Sequence, residues 1–280
     1  MFISIDWLSF TLPFETLTGS GFEILLFESV LQSIDTYCGA EIDFIAQATD
    51  FVHGKGRAPY TDTWHSDMIG ITLFARAGSP HMLIELSGKG CQAAQAAGVL
   101  EAWITRHGDT ATRLDVAVDF PTNIRPLAFA EKRDNQRFKS GGHMHSERGE
   151  TVYVGSRTSD RYARVYRYDP PHPRADLLRV EMVFRKDQAK SACRLMAAEG
   201  LRHLAAVAGS TFGWTHDLWP DDFKEAEALP VERTETHQGK TVHWLFKQVL
   251  PACEKVIRAG EREHIEHFLN HLVELLENVR

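Results

Sequence analysis

TRLDVAVDF, residues 112–120, alternates with period two. Leu114, Val116 and Val118 fall on one face of an extended strand, and Arg113, Asp115 and Asp119 fall on the other. LLRVEMVFR (177–185) divides the same way, with Leu178, Val180, Met182 and Phe184 against Arg179, Glu181 and Arg185. So does RYARVYRY (161–168), where Ala163 and Val165 oppose Arg164 and the phenols Tyr162, Tyr166 and Tyr168. Each stretch buries one face and shows acids, arginines or tyrosines on the other. Such strands belong to an antiparallel sheet with one covered and one open face.

The surrounding sequence supplies the other elements. FISIDWLSFTL (2–12) reads as a strand, followed by a helix over about 22–37 and a Gly-rich loop, HGKGRAPY (53–60). MIGITLFAR (68–76) and HMLIELSG (81–88) are strands joined by the turn AGSP. An Ala-rich helix covers 91–108, and a charged helix covers about 126–136. A polar loop, KSGGHMHSERGE (139–150), leads to a strand, TVYVGSR (151–157), which forms a hairpin with 162–168. After the Pro-rich link DPPHPRAD and the strand 177–185 come a helix over about 187–208, a Pro/Glu-rich break near 219–233 and a helical tail from about 242. Strands interspersed with helices and joined by hairpins predict an α+β fold, an antiparallel sheet with packed helices and a helical C-terminal region. Residues 1–210 are expected to form the main domain. Residues 211–280 are expected to form a helical region for packing, recognition or dimerisation, and Ile265, Phe268, Leu269, Leu272, Leu276 and Val279 make an amphipathic stripe on it that serves internal packing or a homodimer.

At 280 residues, 43% hydrophobic and 25% charged, the chain can build a core without staples. The four scattered cysteines include no CxxC pair, which argues against a structural zinc site and fits a reducing compartment. No signal peptide and no apolar run of roughly 18 residues is present, so a cytoplasmic protein without membrane contact is expected. The net charge of -7 is uneven. Residues 121–190 hold 15 Lys/Arg against 9 Asp/Glu, whereas the remainder holds 16 against 29. A polyanionic partner is therefore allowed by the middle of the chain, because screening makes the local field count for more than the sum.

If the three strands are neighbours, carboxylates, arginines and phenols share one surface. Those groups suit phosphoryl transfer: carboxylates hold Mg²⁺ or Mn²⁺, arginines grip phosphates bidentately, and a tyrosine can be the nucleophile. An ordinary solvent-facing surface of Arg–carboxylate pairs fits the alternation equally well.

IDWLSFT (5–11), ELSGKGC (85–91), TRLDVAVDF (112–120), GETVYVGSRTSDRYARVYRY (149–168) and LLRVEMVFR (177–185) resemble, in order, motifs of the replication initiation factor (Rep_trans) family of rolling-circle plasmid and filamentous-phage initiators and related relaxases. The resemblance implies a Rep-like nicking-enzyme fold and a strand transferase. Such an enzyme nicks an origin, joins its tyrosine to the 5′ phosphate, and leaves a 3′ hydroxyl to prime synthesis. It implies Tyr166 as nucleophile, Asp115, Asp119 and Glu181 as ligands of Mg²⁺ or Mn²⁺, and Arg113, Arg157, Arg161, Arg164 and Arg179 as DNA-binding residues. The implied partners are double- and single-stranded origin DNA and the host helicase and polymerase. Two alternatives stand beside this reading: a conjugative relaxase using the same nick, and a non-catalytic DNA-binding regulator of the same fold.

The family commonly continues Tyr-Asp/Asn-Lys after the nucleophile, whereas this chain has Tyr166-Arg167-Tyr168. Tyr168, and less so Tyr162, remain rival nucleophiles. His143-Met144-His145 matches the His-hydrophobe-His pattern of another class of rolling-circle nucleases but reads as a loop. His264, His267 and His271 lack a third-ligand context and read as surface, and GKGR (54–57) is too short for a P-loop.

Overall fold

The computed structural model describes residues 1–14, 30–32, 34, 45, 48, 50–133, 141–146, 149–168, 170–214, 227–229, 244–259, 263, 266–267 and 269–271. Ten strands form one sheet: β1 (Phe2–Pro13), β2 (Val52–Lys55), β3 (Asp62–Ser66), β4 (Ile71–Ala75), β5 (His81–Leu86), β6 (Ala111–Pro121), β7 (Gly141–Ser146), β8 (Gly149–Val154), β9 (Arg161–Arg167) and β10 (Leu177–Arg185). Their order is β2-β3-β4-β5-β1-β6-β10-β9-β8-β7, and every pairing is antiparallel. The alternation in 112–120, 161–167 and 177–185 thus produces three adjacent strands, β6, β10 and β9. Val118, Val180 and Val165 stand side by side on the apolar face.

Helices cover that apolar face. They are α1 (Gly88–Ala96), α2 (Leu100–His107), α3 (Pro126–Glu131) and α4 (Asp187–Phe212); α5 (Leu250–Arg258) belongs to a separate C-terminal unit. α4 packs on β6 and β10, α1 and α2 lie on β1, and α3 lies on β8 and β9. Leu114, Val116, Val180, Met182 and Phe184 meet Trp103, Leu204, Ala208 and Phe212, all fully buried. Each aliphatic side chain moved out of water here contributes about 1.5–3 kcal/mol. His107 belongs to this core, stacked on Phe10 with ring centroids 4.9 Å apart, and burial holds its imidazole down at about 4.

Several sequence expectations change. The helix expected over 91–108 is two helices, α1 and α2, separated at Gly98, whose φ of 75° ends the first. Residues 53–60 are partly strand: β2 pairs with β3, a strand the sequence pattern did not show. Residues 141–146 are the edge strand β7 rather than loop, because their backbone groups pair with β8. α4 extends past 208 to Phe212, closes on Gly213 with φ 84°, and contains a break at Gly200. The chain forms two compact units, Met1–Glu232 and Arg233–Arg280, a boundary later than expected. The reason is that Phe212, Trp214 and Leu229 are core of the first unit, with Trp214 5.5 Å from Phe129. The helix expected over 22–37, the break near 219–233, and stripe residues Ile265, Phe268, Leu272, Leu276 and Val279 lie wholly or mostly outside the described residues. Among the described residues, no helix is long and apolar enough to cross a membrane.

Candidate DNA-processing site

The charged residues of the central strands meet on the face opposite the one that α3 and α4 cover. Register fixes three rows across it. Asp119 lies opposite Arg179, and Arg179 opposite Tyr166. Ala117, Glu181, Arg164 and Tyr153 follow in the next row. Trp7, Asp115, Val183 and Tyr162 form the third. The sequence-predicted residues Tyr166, Asp115, Asp119, Glu181, Arg113, Arg164 and Arg179 therefore share one surface.

They are bound to one another. Arg113 forks onto Asp115, Nε to Oδ1 at 2.8 Å and Nη2 to Oδ2 at 2.5 Å. Arg164 is ion-paired with Glu181 and reaches to 3.9 Å of Asp115 Oδ2. Arg179 donates to Asp119 at 2.9 and 3.1 Å and to Asp6 Oδ1 at 2.5 Å, and Arg174 adds a bond of 2.8 Å to Asp119. Aromatic rings line the same surface. Arg113 stands 4.5 Å over Trp7, Arg174 4.9 Å over Phe2, and Arg179 5.4 Å over Tyr168.

Tyr166 sits inside this lattice and donates its hydroxyl to Glu181 Oε2 at 3.2 Å. Burial pushes its phenol up to about 12, with Arg179 pulling the other way. At neutral pH the phenol is therefore protonated, and its proton points at a carboxylate. Burial also raises Asp115, against the pull of Arg113 and Arg164. Tyr168 is raised by burial as well, and its ring lies edge-on to Tyr166 at 5.8 Å and stacks on His172 at 3.9 Å. Tyr162 is 5% exposed, beneath Arg185.

The carboxylates do not fit one resident cation. Asp115 and Asp119 are four residues apart on one strand, about 13 Å, while Mg²⁺ and Mn²⁺-type ligands sit roughly 2.0–2.6 Å from the ion. Each carboxylate, moreover, already holds a guanidinium. Among the described residues, no group of three His, Cys, Asp or Glu side chains converges on a metal position. The expected shared set of Asp115, Asp119 and Glu181 thus becomes two ionic clusters, one around Arg164 and one around Arg179.

Two other expected residues lie outside these rows, Arg161 on the opposite face and Arg157 at the edge of the same face. Arg161 registers with Phe184 on the apolar-face phase of β9. Arg157 lies beyond β8, 5.1 Å over the Tyr153 ring. The register of β7 puts His143 beside Val152, on the face opposite Tyr166, and His143 Nε2 is 2.9 Å from Glu150.

Asp6 and Arg174 belong to the site and were not singled out from the sequence. The signal for Asp6 is a phase break: apolar burial runs Ile3, Ile5, then Leu8, Phe10, Leu12. One extra residue there is a β-bulge, seen as a register shift between Ile5 and Trp7. The bulge turns both Asp6 and Trp7 to the open face. Gly88 keeps space for Asp6, since a Cβ on it would lie 2.8 Å from Asp6 Oδ1. Arg174 comes from the irregular Pro-rich link, where no periodicity assigns a face.

The fold has a counterpart among solved structures. It is similar to a rolling-circle replication initiator protein from Geobacillus stearothermophilus, with a TM-score of 0.54 and 18% identity, over 82% of this chain and 92% of that one. No protein-family model and no curated protein sequence matches.

Two outcomes are expected. Arg179→Ala leaves Asp6 without its guanidinium and Asp119 with Arg174 alone, and should cost about 3–5 kcal/mol in urea unfolding. Tyr166 should show in alkaline stability. Below its ordinary value of 10 the phenol is neutral in both states, so its contribution is intact. Above that value the unfolded phenol ionises while the native one does not until about 12. Wild type should therefore lose stability relative to Tyr166→Phe through this window, read as diverging urea midpoints.

Proposed function

We propose that this protein is a DNA nicking-and-joining enzyme that initiates rolling-circle replication, with Tyr166 as its nucleophile. The observation that carries the reading is the Tyr166 hydroxyl aimed at Glu181 at 3.2 Å within a row of guanidinium groups. The likeness in fold to a rolling-circle initiator supports it.

A scissile phosphate on this face would meet Arg164 and Arg179. Among the described residues, the Nε atoms of both are buried without a hydrogen-bond acceptor, and a phosphate oxygen is an acceptor of the required kind. Tyr166 Oη attacks the phosphorus as Glu181 takes the phenolic proton. The bond from phosphorus to the 3′ oxygen breaks, and that oxygen takes a proton from water. The products are a 5′-phosphotyrosine and a free 3′ hydroxyl. In the reverse direction, a 3′ hydroxyl attacks the phosphotyrosine and Tyr166 recovers its proton. A phenol raised to about 12 is a good proton-coupled nucleophile only beside a base, which gives Glu181 its role. On this reading the partners are single- and double-stranded origin DNA and the host helicase and polymerase that extend from the 3′ end.

A second reading, a DNA-binding regulator without strand cleavage, is favoured by the guanidinium held on each of Asp6, Asp115, Asp119 and Glu181. A covalent-adduct assay separates the two. A 3′-labelled pool of single-stranded oligonucleotides of randomised sequence is incubated with the protein, with Mg²⁺, Mn²⁺ or EDTA, and resolved under denaturing conditions. A labelled, denaturant-stable adduct is expected with wild type and Tyr168→Phe, and a loss of at least about 100-fold is expected with Tyr166→Phe. DNA binding with no adduct in any arm would leave the regulator.

A further inference from the structure

The open face continues past the tyrosine to the sheet edge at β8 and β7. Tyr153 registers with Arg164 on one side and Gly142 on the other, so its ring is on the Tyr166 face. It is one strand and two residues from Tyr166, about 8 Å in the plane of the sheet. Met144, registered through Thr151 to Tyr166, flanks it and is 56% exposed.

Between these side chains lies an open cleft of about 370 Å³, lined by Gly142, Met144, Tyr153, Ser156 and Arg157 among others. That is at the small end of ligand sites, which run roughly 300–1,000 Å³. Two glycines shape it. A Cβ on Gly142 would come within 3.9 Å of Tyr153 Cδ2, so its absence leaves the ring uncovered on that side. A Cβ on Gly141 would lie 2.4 Å from the Tyr153 carbonyl oxygen, so β7 pairs closely there only as glycine. Among the described residues, the lining carries one charged side chain, Arg157, whose guanidinium stands 5.1 Å from the Tyr153 ring centre. An aromatic plane, a soft thioether and one cation make a surface for a flat aromatic group attached to an anion.

We propose that this cleft holds a nucleobase of the single strand flanking the scissile phosphate, stacked on Tyr153 with Arg157 on its phosphate. The inference rests on the reading of Tyr166 as a DNA nucleophile and adds a subsite to it. Stacking on Tyr153 draws the strand across β9 and β8, and so places the phosphate at Tyr166 from one side. Because every base has a π-face, the subsite is tolerant of sequence, and the choice of origin is made elsewhere.

The test compares binding of a short oligothymidylate with an abasic strand carrying the same number of phosphates, measured by fluorescence anisotropy. Wild type should prefer the oligothymidylate. Tyr153→Ala should reduce that preference by about fivefold or more, while Tyr153→Phe retains it. Binding of the abasic strand, a measure of phosphate contacts, should be unchanged by Tyr153→Ala and weakened by Arg157→Ala. Photocrosslinking of wild type to an oligonucleotide carrying 5-iodouracil should label the peptide that contains Tyr153, a readout independent of how the variants fold. An unaltered preference in Tyr153→Ala, or crosslinks confined to other peptides, overturns the subsite. Such a result beside an intact Tyr166 adduct rejects the subsite alone, whereas failure of wild type to bind either strand rejects the nicking reading with it.

Discussion

Arg179 is the side chain on which the open face is assembled. It is 3% exposed, and it lies between Asp119, which is 1% exposed, and Asp6 on the bulge of β1. A charge so far from water is tolerable only when paired and hydrogen-bonded. Its two nitrogens tie β10 to β6 and to β1, so three strands from distant parts of the chain must be in register before the pair can close. The apolar side of these strands supplies the stabilising burial; the polar side specifies which residues stand opposite one another. The same guanidinium lies over Tyr168 and acts on Tyr166, opposing the upward push of burial on both phenols.

Under the proposed nicking reading, this arrangement is the resting state of the site. Carboxylates and guanidinium groups neutralise each other, and Tyr166 holds its proton against Glu181. On the proposed reading, a phosphodiester would bring the acceptor oxygens that two buried Nε atoms lack among the described residues, and binding and activation would be coupled through one exchange of partners. The same pairing explains why the carboxylates are not arranged as a shared cation cage: their spacing along β6 follows the strand repeat, and guanidinium groups fill the intervals.

The sheet's central strands were legible from sequence because half-burial imposes a strict period of two, and Leu114, Val116 and Val118 keep it without error. Their residue partners were not, because register depends on which strands become neighbours. The edge strands β2 and β7, and β3 beside β2, were missed, the two edge strands for a related reason. Gly54, Gly141 and Gly142 carry no side chain to show a period, and pairing there is made by backbone groups. The pairing of 91–108 into two helices turned on Gly98, a single positive φ within an Ala-rich run. At the site, Tyr166, Glu181 and Arg164 could be read from their strands. Asp6 required noticing that the apolar phase slips between Ile5 and Leu8, and Arg174 lies where the chain has no period at all. Tyr153 was within a recognised motif, but its exposure depends on Gly142 across the strand pair.

The central claim is that the Tyr166 oxygen forms the bond to DNA. The most direct measurement is mass spectrometry of the nuclease-trimmed, protease-digested adduct, locating the residue that carries the nucleotide. The account predicts a 5′-phosphonucleotide on Tyr166. A nucleotide on Tyr168 or Tyr162, or on any residue outside β9, would contradict it.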